Sequence, residues 1–101
     1  VDINDPFIQK ALLGECKNFR YREVKDFIER HEDELGYSIG KEDKIKIVIK
    51  HVDPSNPLIS FVKFEKPHGG EKFIDKRYIR DFIRDLSRAG RITEKENDDD
   101  Q

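Results

Sequence analysis

The spacing of apolar positions changes several times along the chain, and each spacing predicts a different element. Asp5-Pro6 marks the first helix start, because an aspartate cap and a proline at the first helical position both suit the unsatisfied amides there. Phe7, Ile8, Ala11 and Leu12 then recur at helical intervals, in a run weakened by Gly14 and Asn18. From Tyr21 the apolar set becomes Tyr21, Val24, Ile28, His31 and Leu35, at steps of three and four, with Gly36 as a natural stop. That spacing fits the end of a coiled coil, and it fits an ordinary amphipathic helix as well.

The period then falls to two. Lys44 to Val52 puts Ile45, Ile47 and Ile49 on one face and Lys44, Lys46, Val48 and Lys50 on the other, the signature of a half-buried strand. Asp53-Pro54-Ser55-Asn56-Pro57 predicts a loop, Leu58 to Glu65 a second strand, and Pro67-His68-Gly69-Gly70 a turn. So short a connection makes the two strands antiparallel neighbours, and a short third strand over Glu71 to Ile74 completes a meander. Asp75 caps a last helix whose stripe is Tyr78, Ile79, Phe82, Ile83 and Leu86, closed by Gly90.

These elements predict an α+β fold in the order helix, three-stranded antiparallel meander, helix. Residues 1–20 read as an N-terminal helical segment, 21–35 as the end of a helix or coiled coil, 36–92 as an α+β globular domain, and 93–101 as an acidic disordered tail.

Composition narrows the classes. A chain of 101 residues has room for one modest core. With 42% charged against 35% hydrophobic residues and a mean hydropathy of -0.86, a highly soluble domain and one whose core a partner helps to complete are both consistent. Cys16 is the only cysteine, which excludes an internal disulfide and a cysteine metal site and favours a reducing compartment. No apolar run reaches the length of a membrane span, and Val1-Asp2-Ile3-Asn4-Asp5 lacks the features of a signal peptide, so we expect a nuclear or cytoplasmic protein with no membrane partner. Residues 36–92 carry 13 basic and 8 acidic groups, which leaves a mildly basic middle between acidic ends.

Candidate chemistry is sparse. Cys16, Ser38, Ser55, Ser60 and Ser87 stand in no nucleophile motif, and His31, His51 and His68 are too dispersed for a metal site, so no catalytic residue, metal or cofactor is expected. Arg77, Arg80, Arg84 and Arg88 share one face of the last helix. Helix–sheet–helix is also the order of a double-stranded-RNA-binding domain, which makes duplex RNA an alternative ligand of that arginine face. Asp81 and Asp85 lie at pairing distance from the arginines, and this weighs against nucleic acid there.

Residues 35–64 carry a more specific pattern: Leu35-Gly36-Tyr37-Ser38-Ile39, the alternating strand Asp43 to Ile49, Val52-Asp53-Pro54-Ser55-Asn56-Pro57, then Phe61 and Phe64. The stretch resembles the globular, RWD-like end of the kinetochore subunit family called spindle pole component 25. The resemblance implies a non-catalytic interaction domain in the nucleus, paired as a heterodimer with its sister subunit, spindle pole component 24, and docked onto an inner-kinetochore linker protein. It implies no cofactor. The heptad to Leu35 would then be the last turns of that family's coiled coil. On that basis the partner-facing positions expected are Val24, Ile28 and Leu35 on the seam, and Ile47, Ile49, Phe61, Phe64 and Phe82 on the sheet and last helix. Most of these positions equally suit the chain's own core.

Overall fold

Each helix begins where the sequence supplies an acceptor for its first amides. The computed structural model describes residues 1–40, 44–50, 55 and 59–94. In it α1 spans Pro6–Leu13, α2 Tyr21–Arg30 and α3 Lys76–Arg88. The Asp5 carboxylate accepts from the Phe7 amide at 2.9 Å, and that of Asp75 accepts from the Arg77 amide at 2.9 Å. At the start of α2, Glu23 reaches back to accept from the Arg20 amide at 3.0 Å.

The strands are β1 (Gly36–Ile39), β2 (Lys44–Lys50) and β3 (Ile59–Glu65), in the spatial order β1-β2-β3 and antiparallel throughout. The fold is therefore the expected α+β arrangement of helices around a three-stranded antiparallel meander, with one strand reassigned. Glu71 to Ile74, expected as the third strand, is not one: the Ile74 amide donates to the Phe19 carbonyl at 2.8 Å instead of joining a sheet edge. The third strand is Gly36–Ile39, where a helix stop was expected.

The second helix ends earlier than its apolar spacing predicts. Its last residue is Arg30, and His31 to Leu35 form a turn in which the Glu34 and Leu35 amides both donate to the His31 carbonyl at 2.9 Å. Glu32, Asp33 and Glu34 supply the reason, since three consecutive acids at a helix C-terminus oppose its dipole and offer no apolar surface. Leu35 still reaches the core, but from the turn. The spacing from Tyr21 to Leu35 is thus split between a helix and a turn and forms no continuous seam.

All three helices lie on one face of the sheet. Ile45, Ile47 and Ile49 of β2 and Val62 and Phe64 of β3 point into a core closed by Phe7, Ile8 and Ala11 of α1, Val24, Phe27 and Ile28 of α2, and Ile79, Phe82, Ile83 and Leu86 of α3. Phenylalanines tie these layers together. Phe7 stacks on Phe27 at 4.1 Å between ring centroids, and Phe82 meets Phe64 edge-on at 5.0 Å. The two ends of the described chain meet as well, through a parallel bridge between Asp2 and Thr93. The expectations for His51, for Val52 to Pro54, for Asn56 to Leu58 and for residues 95–101 of the tail lie outside the described residues.

Candidate functional site

The register of the sheet decides what its other face carries. Across β2 and β3 the outward pairs are Lys44↔Glu65, Lys46↔Lys63, Val48↔Phe61 and Lys50↔Ile59, with Gly36 and Ser38 beside them on β1. Four lysines to one glutamate make the face basic. Phe61 and Ile59 are 68% and 64% exposed, so it also offers an aromatic ring and an aliphatic side chain to solvent. Val48 is half-buried opposite Phe61.

The charges on this face are unevenly satisfied. Glu65 takes Lys63 at 3.1 Å and Lys44 at 3.9 Å, and the Lys63 contact, first of all, holds the Glu65 carboxyl below its ordinary value. Lys46 and Lys50 make no ion pair among the described residues. Lys46 instead faces Lys63 across the ladder, where side chains start about 5 Å apart and like charges are destabilising. Arg91 brings a further cation to the end of β2, its Nε donating to the Lys50 carbonyl at 3.2 Å. Asp26, Glu29, Glu32, Asp33 and Glu34 are exposed on α2 and the turn after it, and Asp81 and Asp85 line a cleft with Phe61 and Lys63 at the β3 edge.

The sites expected from sequence sort differently. Of the eight partner-facing positions, Val24, Ile28, Leu35, Ile47, Ile49, Phe64 and Phe82 are fully buried in the chain's own core, and Phe61 reaches solvent. The arginine face of α3 is present but largely answered. Arg77 is held by Asp75 at 2.7 Å, Arg84 lies 3.3 Å from Asp81 and 3.5 Å from Asp85, and Arg80 lies 3.9 Å from Asp81. The Arg77 hydrogen bond, with the backbone amide, pulls the Asp75 carboxyl down to about 2. Arg88 has no ion pair among the described residues. Arg80, Arg84 and Arg88 rim an open groove of about 600 Å³ between α1 and α3, floored by Ala11, Leu12 and Ile83.

Among the described residues, the groups with potential for chemistry stand apart from one another. Cys16 is half-buried beside that groove, and burial pushes its thiol up, away from the thiolate form. His31 sits between Asp5 and Glu34, 3.4 Å from each, on α2's far end from Cys16's loop, and His68 is exposed. Among the described residues no group of three or more His, Cys, Asp or Glu is placed to hold a metal ion. No helix among them is long and apolar enough to cross a membrane.

Lys44, Lys46 and Lys50 were legible as one strand face, but their assembly with Phe61 and Lys63 was not. Only the pairing register puts those five on a common surface. No family model matches the chain, and no match is found among curated proteins or solved structures.

Proposed function

We propose that this chain is a non-catalytic binding module that holds a macromolecular partner on the open face of its sheet, around Phe61. The observation that carries the reading is the 68% exposure of Phe61 in the middle of a lysine-rich face, in a chain whose other phenylalanines pack inside or, for Phe73, at the margin. An antiparallel sheet open to water on one side ordinarily turns polar residues of mixed sign outward. This one turns out an aromatic ring, an isoleucine and lysines, a composition suited to contact.

Pairing with a sister kinetochore subunit and docking to an inner-kinetochore linker, as the resemblance implies, has less in its support. Pairing along the seam requires Val24, Ile28 and Leu35 to leave the core that encloses them. Duplex RNA on the α3 arginines is opposed by Asp75, Asp81 and Asp85, which already engage Arg77, Arg80 and Arg84.

Site-specific photocrosslinking in cells tests the reading. A photoreactive phenylalanine analogue in place of Phe61 should give a discrete adduct, and the same analogue in place of Arg22 on the exposed side of α2 should not. Adducts from position 22 and none from 61 would contradict it.

A further inference from the structure

The chemistry of the open face goes further and names the partner's class. We infer that the face binds single-stranded nucleic acid, with a base stacked on Phe61 and the flanking phosphates held by Lys46, Lys50 and Lys63. The inference rests on the binding-face reading above.

Three observations carry it. First, the ring of Phe61 makes no ring-stacking or cation–π contact among the described residues, whereas Phe7, Phe19, Phe27, Phe64 and Phe82 all pack against other rings. The residue is 68% exposed, and base–aromatic stacking tolerates any base.

Second, the lysines surround that ring. Lys46 and Lys50 lie diagonally across from Phe61 on β2, and Lys63 is two residues along on β3. Lysines placed to shield a sheet edge from aggregation belong on edge strands. Lys46 and Lys50 stand on the central strand, so edge protection does not account for them. The facing Lys46 and Lys63 repel each other, although Glu65 already takes Lys63 at 3.1 Å. A phosphate between the two turns that repulsion into binding.

Third, the dimensions suit a narrow ligand. Sheet platforms for single-stranded RNA stack two or three bases on several aromatics, and this face, with the ring of Phe61, stacks one. Peptides typically add to a sheet's edge. Here the β3 edge borders a small cleft that Phe61 and Lys63 share with Tyr78, Asp81, Arg84 and Asp85, and Arg84 pairs with both carboxylates. The path left for an anionic strand runs across the face, over Phe61 toward β2.

Fluorescence anisotropy with a labelled uridine oligomer of about twelve residues tests this, since single-stranded sites span about 4–16 nucleotides. Binding should fall with salt at a log–log slope of about −2, corresponding to three lysines on a single strand. Phe61→Ala should weaken it about tenfold to a hundredfold and Phe61→Tyr should restore it. Lys46→Ala and Lys63→Ala should each flatten the slope by about 0.7. Thermal melts by circular dichroism verify that each variant folds. Polyglutamate of similar charge and a duplex RNA serve as competing probes. If the uridine oligomer fails at low salt while polyglutamate binds and is lost in Phe61→Ala, the nucleic-acid inference is overturned and the binding face stands. If oligomer binding survives Phe61→Ala and Lys46→Ala, or if duplex RNA binds and is lost in Arg84→Glu, both the inference and the open-face reading are overturned.

Discussion

Lys46 on the central strand and Lys63 on the edge strand stand directly opposite each other, on the face of the sheet that no helix covers. Like charges in that position destabilise a sheet by some tenths of a kcal/mol up to about 1 kcal/mol. Lys46→Glu converts the repulsion into a cross-strand ion pair. The variant should unfold at higher urea than the parent, by about 0.5 kcal/mol, while binding the open face's ligand more weakly. Equal or lower stability in Lys46→Glu would mean that the two side chains already avoid each other.

Leu35 separates the core from a partner seam. It is fully buried at the end of the turn after α2, so Leu35→Ala should cost about 2–5 kcal/mol of the chain's own stability. Ser87→Ala, on the exposed side of α3, should stay within about 0.5 kcal/mol. Urea titrations measure both. A Leu35→Ala protein that melts like the parent but loses self-association would restore the seam.

How far the sequence could be read follows from such residues. The α3 stripe and the β2 alternation were legible because one residue type dominates each face over several turns or pairs. The end of α2 was not, because Leu35 falls in helical phase with Val24 and Ile28 although Glu32, Asp33 and Glu34 stop the helix before it. Gly36–Ile39 was hidden for a related reason: four residues with a glycine first give almost no alternation to detect. The binding face needed the register, since Phe61 by itself reads as another core phenylalanine.

Asp5 links the first helix cap to pH. Burial acts to raise its carboxyl, but the Phe7 amide, Arg30 and His31 outweigh burial and hold it below its ordinary 3.8. A depressed folded-state value means that the stabilisation is complete above pH 3.8 and is lost as pH falls through the lower folded value. Asp5→Ala should therefore cost about 1 kcal/mol at neutral pH. Asp5→Asn keeps a cap acceptor and should show a shallower loss of urea midpoint on acidification. An unchanged acid slope in Asp5→Asn would assign the slope to other carboxylates.

Cys16 should be a slow thiol. Burial raises its value above the ordinary 9.0, with the Arg80 charge opposing that only in part. Alkylation by iodoacetamide near neutral pH should lag that of a free cysteine, and the rate should rise steeply at alkaline pH. Labelling as fast as that of free cysteine would show that the loop after α1 opens readily.

The most direct test of the central claim is a titration of the isotope-labelled chain with the uridine oligomer, followed amide by amide in heteronuclear NMR spectra. The account predicts shift changes concentrated at Lys46, Val48, Lys50, Phe61 and Lys63, with α2 unmoved. Changes centred on Arg80, Arg84 and Arg88, or none at low salt, would contradict it.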